Sequence, residues 1–281
     1  MSSESHPHAV FKSIVVDRSG SMASFQEKHI EMAYRMLMET QEEAKKSGVR
    51  TRVSLTTFDD RANYPMIFND PNSVQMLDQS QLRQMLYPRG TTRFNDTLIE
   101  EVEKLEKAAE EYRKSLPTAL RRLDPLIVRI VIAITDGEDN SSQQTTEQCR
   151  NVMNDYRHSG GKAILMAANM DAERIGANYG FNSDRCITVH NSDEQAIEAG
   201  FRSIMRCERQ MTQGIEVAPF TQLERTSSCP MNNTNSHPTN FDDDDLLPVP
   251  TLAMPPRLVR HHANPPPWGD TFATNPNEAI V

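Results

Sequence analysis

The stretch Ile14-Val15-Val16-Asp17-Arg18-Ser19-Gly20-Ser21-Met22 carries most of what this chain reveals about itself. Residues 11–16 read as a short buried strand on the strength of the apolar, β-branched run Ile14-Val15-Val16. Asp17, Ser19, Gly20 and Ser21 follow at once, and all are turn residues. One carboxylate and two hydroxyls therefore share a tight turn where a strand hands over to a helix. Such oxygen ligands suit a hard divalent cation. Taken alone, Asp-x-Ser-x-Ser serves equally well as a turn and helix cap.

Outward from this turn, strand and helix patterns alternate. Residues 25–46 read as a helix with Ile30, Ala33, Leu37 and Ala44 on one stripe, and Gly48 reads as its stop signal. Residues 53–58 and 62–68 read as strands, joined closely enough by Asp59, Asp60 and Arg61 to form a hairpin. The second would lie antiparallel at the sheet edge. Leu98, Val102, Leu105 and Ala109 recur at helical spacing. Residues 127–134 form the strongest strand pattern, followed by a helix over 148–159, a strand over 163–168, a short helix over 172–179 and a strand over 186–189. Ser192, with Gln195 three residues on, reads as a capping box opening a last helix. The expected class is α/β: three layers, a mostly parallel Rossmann-like sheet with one antiparallel edge strand, and helices on both faces.

In such sheets ligands bind beyond the carboxyl ends of the strands, where the strand order reverses. Asp17 ends the first strand and Asp136 follows the strongest one. Gly90-Thr91-Thr92 precedes a helix. The three segments resemble, in family order, the metal loops of the von Willebrand factor type A (vWA) family and its metal-ion-dependent adhesion site. The resemblance covers about residues 9–215. It implies that Asp17, Ser19, Ser21, Thr92 and Asp136 hold one Mg²⁺ or Mn²⁺, directly or through water; Thr91 beside Thr92 leaves two registers open. It further implies binding and not catalysis, with a partner protein's Asp or Glu completing the coordination. Two carboxylates and three neutral hydroxyls about balance the ion, so it keeps attraction for an external carboxylate. Intracellular members often serve multiprotein complexes.

Composition narrows the rest. The chain has 281 residues and a net charge of −9, with no basic stripe interleaved with aromatics, which argues against nucleic-acid binding. Cys149, Cys186, Cys207 and Cys229 form no CxxC pair, and read as reduced thiols in an intracellular protein. The start shows no signal-peptide pattern, and no apolar run is long enough for a membrane span. The expected location is cytoplasmic, without membrane contact. Ten of the 17 prolines follow Arg225. The expected organisation is an extension over 1–8, a vWA domain over 9–215, a short extension over 216–225 and a disordered tail over 226–281. Within the tail, Asp242, Asp243, Asp244 and Asp245 lie between Phe241 and Leu246. That run reads as a solvating spacer or as a self-interaction peptide.

Two other readings fit the same positions. Asp17 as a phosphoryl-transfer nucleophile would resemble haloacid dehalogenase-like phosphatases. Those need an acid or threonine where Ser19 stands, and a late lysine, for which Lys162 is the one candidate. A metal-independent scaffold is a third reading. Asp59, Asp60, Glu138 and Asp139 read as solvated loop charges, with Glu138 or Asp139 as alternatives for orienting metal-bound water. Arg18 and Arg93 read as exposed, with pairing to an incoming carboxylate as the alternative. Sequons at Asn95, Asn140 and Asn232 are discounted without a secretion signal, and His6, His8, His261 and His262 are not read as ligands.

Overall fold

The apolar run that precedes Asp17 becomes β1 (Ala9–Asp17), buried along its whole length. It can be buried on both faces because its residues alternate between two cores. Val10, Ile14 and Val16 enter one, and Ala9, Phe11 and Val15 the other. The computed structural model describes residues 6–230. Strands β2 (Arg50–Phe58), β3 (Ala62–Asn69), β4 (Ile127–Thr135), β5 (Lys162–Ala168) and β6 (Cys186–Val189) complete a six-stranded sheet in the order β3-β2-β1-β4-β5-β6. All neighbours are parallel except β2 and β3, which pair antiparallel with register shifts. The edge hairpin expected around Asp59-Asp60-Arg61 is therefore present.

Eight α-helices are described: α1 (Lys28–Ser47), α2 (Gln79–Met85), α3 (Phe94–Ser115), α4 (Thr118–Arg121), α5 (Thr146–His158), α6 (Ala172–Asn178), α7 (Glu194–Thr212) and α8 (Gln222–Ser228). The first core takes Ile30, Ala33 and Leu37 of α1, Leu82 of α2, and Phe201 and Ile204 of α7. The second takes Leu98, Val102 and Leu105 of α3, Met153 of α5 and Ile175 of α6. Each fully buried aliphatic side chain contributes about 1.5–3 kcal/mol. Helices thus cover both faces, as the strand periodicities predict.

Three local expectations are corrected. The helix expected from residue 25 begins at Lys28. Gly20–Phe25 forms a 3₁₀ turn, and Gln26 and Glu27 then take positive φ of 48° and 66°. Two left-handed residues cannot continue a right-handed helix. The interruption tucks Met22 and Phe25 beneath the loop, both fully buried. The last long helix is capped by Asp193, whose side chain accepts from the N–H of Gln195 and Ala196, and not by Ser192. Helix α2 is too short for a periodic signal, although Asp78 and Gln81 form a capping box. The disordered tail expected from residue 226 does not begin there: residues 226–228 form the end of α8, which is capped by Thr221 and accepts from His190 N–H through Ser228 O at 3.0 Å. The tail from residue 231 onward lies outside the described residues, and with it Asn232, Asp242 to Asp245, His261 and His262.

β1 leads to β2 on one side, and β4 flanks it on the other. The crevice beyond the carboxyl ends of β1 and β4 is the switch point of the sheet.

Candidate metal centre

Asp17, the last residue of β1, is 0 % exposed. Its Oδ1 accepts from Ser19 N–H at 2.7 Å, and its Oδ2 accepts from Thr135 Oγ1 at 2.6 Å. Ser19 Oγ lies 3.0 Å from Ser21 Oγ, which donates to Asp136 Oδ1 at 2.7 Å. A side chain at Gly137 would put its Cβ 3.2 Å from Thr92 Oγ1 and 3.9 Å from Ser21 Oγ. The crowding shows how tightly the third loop passes the other two. Thr92 is buried and Thr91 exposed, so Thr92 is the threonine that faces the cluster. The five side chains marked in the sequence converge on one spot, although Asp17 and Asp136 are 119 positions apart. Thr135 is an addition: it orients the Asp17 carboxylate and accepts from Gly137 N–H at 3.2 Å.

The electrostatics of the cluster are unbalanced. Burial pushes the Asp17 carboxyl up to about 7; Thr135 and Ser19 pull it back, and neighbouring Asp136 adds to the rise. Burial likewise raises Asp136, against the Ser21 hydrogen bond. Among the described residues neither carboxylate has a Lys, Arg or His ion-pair partner. Nor does any group of three or more His, Cys, Asp or Glu side chains form a metal cage there. A buried carboxylate with hydroxyls around it and no cation fits a hard divalent ion. A soft thiolate-loving metal is a poor match.

The loops are held by a second set of residues that reads differently in sequence. Asp59 is 0 % exposed, not solvated. It accepts from Arg89 Nε at 2.8 Å and from Arg61 N–H at 3.1 Å, and pairs with Arg18 at 3.2 Å. Burial pushes the Asp59 carboxyl up, but these partners outweigh it and hold it below its ordinary value. Arg18 is 3 % exposed and also donates to Met85 O at 2.9 Å. Arg93 is half-buried and pairs with Asp96 and Glu100. The backbone joins in: Arg89 N–H donates to Arg18 O at 2.8 Å and Gly20 N–H to Gly90 O at 3.2 Å. Gly90 has φ of +68°, and any Cβ there would meet Asp59 Cβ at 3.3 Å, so the position suits only glycine.

The third loop is laced to the start of α3. Asp139 accepts from Asn95 N–H at 2.9 Å, and Ser142 Oγ from Asp96 N–H at 3.0 Å, which caps free helix donors. In return Asp96 accepts from the N–H of Gln143 and Gln144 at 2.9 and 2.7 Å. Asn140 grips Thr92 twice, accepting its N–H on Oδ1 at 2.8 Å and donating its own N–H to Thr92 O at 2.9 Å. Asp139 is thus a structural clip. Glu138 and Asp60 are exposed loop charges, Glu138 within 3.8 Å of Arg174. The density of Asp, Asn and Ser after Asp136 was the available signal, for capping and not for solvation.

Cys149, Cys186 and Cys207 are buried free thiols and Cys229 is half-buried. No described helix is long and apolar enough to cross a membrane.

Comparison with known proteins agrees with this architecture. The family model of the von Willebrand factor type A domain matches residues 13–202. No curated protein matches the chain. Among solved structures, the fold is similar to proximal thread matrix protein 1 from the mussel byssus, with a zinc-occupied MIDAS motif. The identity is 15 % and the TM-score 0.44, over 70 % of this chain and 45 % of that one. It is also similar to the PilB minor pilin from Streptococcus sanguinis, at 14 % identity and a TM-score of 0.47, over 75 % of this chain and 63 % of that one. A von Willebrand factor type A protein from Catenulispora acidiphila matches at 16 % identity and a TM-score of 0.40, over 69 % and 41 %. The chain spans less than two thirds of each of these proteins, and the likeness concerns the fold alone.

Proposed function

Since this chain belongs to the von Willebrand factor type A domain family, we propose that it is a divalent-cation-dependent protein-binding module. Asp17, Ser19, Ser21, Thr92 and Asp136 would hold Mg²⁺ or Mn²⁺, and the partner would present an Asp or Glu. The observation that carries this reading is the buried Asp17 carboxylate, packed beside Asp136 with no cation of its own. When bound, the ion supplies positive charge and a coordination position open to an external carboxylate. The chain's own residues do the rest. Thr135 fixes one oxygen of Asp17 and Ser19 N–H the other. Asn140 fixes the backbone of Thr92. The role fits an intracellular complex, in line with four cysteines that form no CxxC pair.

The phosphoryl-transfer alternative is disfavoured by two observations. Both oxygens of Asp17 are already engaged and buried, so neither is presented for attack. Lys162 pairs with Ile130, while Ala167 pairs with Thr135 at the site. The lysine therefore lies five strand residues away, roughly 17 Å.

Calorimetric titration of Mg²⁺ and Mn²⁺ into chelator-treated protein tests the proposal, with Asp17→Ala as control. Saturable one-to-one binding that is lost in a folded Asp17→Ala variant is expected. A folded wild-type protein that takes up neither ion would overturn it.

A further inference from the structure

One side of the metal crevice carries a surface that the ion site does not use. Gly90 sits between the β2–β3 turn and the Asp17–Ser21 loop: a Cβ there would lie 3.6 Å from Asp60 on one side, and its carbonyl accepts from Gly20 N–H on the other. Tyr87, Arg89 and Arg61 are therefore one loop away from Ser19 and Ser21. Tyr87 is 67 % exposed, although the adjoining Leu86 is fully buried and anchors the segment. Arg89 spends Nε on Asp59, and its side chain remains half exposed. Arg61 is exposed and, among the described residues, has no ion-pair partner.

The local charge is unequal. Arg18, Arg61 and Arg89 surround Asp59 and Asp60, which leaves one guanidinium charge in excess. The opposite rim has no such excess, because Glu138 faces Arg174. An exposed tyrosine beside unspent guanidinium groups is the side-chain chemistry most enriched at energetic centres of protein interfaces. Guanidinium groups recognise carboxylates through paired hydrogen bonds. A tyrosine ring adds contact area at low entropy cost.

We propose that Tyr87, Arg89 and Arg61 form the second half of the recognition surface. The partner is then an acidic linear segment. One carboxylate reaches the ion, a second within a few residues meets Arg61 and Arg89, and an aliphatic or aromatic neighbour covers Tyr87. This inference rests on the metal-dependent reading above and adds the partner's sequence class. A single acid on a rigid surface would make no use of this rim.

The test is a selection on the full chain in Mg²⁺ from a displayed library of seven-residue peptides with a fixed central Asp, eluted with a chelator. Enrichment of a second acid and of an apolar residue is expected. On Arg61→Glu protein the second acid drops out of the enriched set; on Tyr87→Ala protein the apolar preference does. The best wild-type peptide then binds each variant at least tenfold more weakly, while Mg²⁺ uptake by calorimetry is unchanged. Both residues are exposed, so both variants keep the fold. An enriched set lacking the second acid or the apolar neighbour overturns the inference. So does an identical set on all three proteins, or the absence of chelator-eluted peptides from a protein that binds Mg²⁺. Failure of the wild type to bind Mg²⁺ strikes the metal reading itself, and removes this inference with it.

Discussion

Two levels of the same strand treat buried charge in opposite ways. In the middle of β1, helices from both faces reach in to satisfy it. Lys12 forms an ion pair with Glu208 of α7, at side-chain exposures of 2 % and 0 %, and donates to Thr40 Oγ1 at 2.7 Å. On the other face, Glu101 of α3 accepts from Ser13 Oγ at 2.6 Å, Ser54 Oγ at 2.8 Å and Thr56 Oγ1 at 2.7 Å. Five residues further on, Asp17 has hydroxyl and N–H partners but no cation, and a second carboxylate for a neighbour. The middle level is closed by the fold. The end level is complete only with something the chain does not contain. Glu101 also has no ion-pair partner among the described residues, but three hydroxyl donors satisfy it. A buried charge becomes a functional signal when a like charge is packed beside it and no cation is, as at Asp17 and Asp136.

The sharpest way to break this comparison is to open the closed level. Lys12→Met strands Glu208 without its partner and should cost about 3–5 kcal/mol of stability by urea unfolding. Burial already pushes the Glu208 carboxyl up against the pull of Lys12. A group whose pKa is raised on folding supports the fold below its ordinary range and withdraws that support as pH rises. The deficit of Lys12→Met should accordingly grow as pH rises above the ordinary carboxylate range. Lys12→Met with Glu208→Leu should recover most of the loss, because it removes both charges at once. A single variant as stable as wild type would mean that the middle level was never closed by pairing.

At the open level the expectation reverses. Asp17→Ala should weaken Mg²⁺ binding at least about a hundredfold, close to 2.7 kcal/mol. Without metal it should unfold at or above the wild-type urea midpoint, since it removes an uncompensated buried carboxylate. Saturating Mg²⁺ should raise the wild-type thermal midpoint and leave that of the variant unchanged. A variant that unfolds in chelator would place Asp17 with Lys12, as a structural charge.

The sequence makes the open level easier to see than the closed one. Asp17, Ser19 and Ser21 sit in five consecutive residues after a strand, and the parallel-sheet rule brings Thr92 and Asp136 to them. The sheet itself is legible because 14–16 is an unbroken apolar run and 127–134 is interrupted only by Arg129. Lys12 is different: nothing in the period of β1 marks it as buried, since its partner lies almost 200 residues away on α7. Arg18 and Asp59 mislead for the same reason. Charged residues in loops are usually solvated, and only the tertiary approach of residues 59, 85 and 89 encloses them. The left-handed pair Gln26 and Glu27 carries no local signature either, as neither is a glycine or asparagine.

The smallest predicted effect separates ligands from the residues that hold them. Asn140 touches Thr92 only through the backbone, and its side chain contributes one of the two bonds. Asn140→Ala removes the Oδ1 acceptor and leaves the N–H to Thr92 O bond in place. A single neutral hydrogen bond is worth about 1 kcal/mol, so Mg²⁺ affinity should fall about fivefold. Asn140 is exposed, and the unfolding midpoint should scarcely move. Asn140→Asp restores an acceptor and should recover the binding by calorimetry, because Thr92 N–H needs an oxygen there and not an amide. If Asn140→Ala instead matches Asp17→Ala, the second loop is set by Asn140 as firmly as the first is by Asp17. If it changes nothing, Gly90 and the Asp59 clasp hold Thr92 without help, and the open level is more rigid than its hydrogen bonds imply.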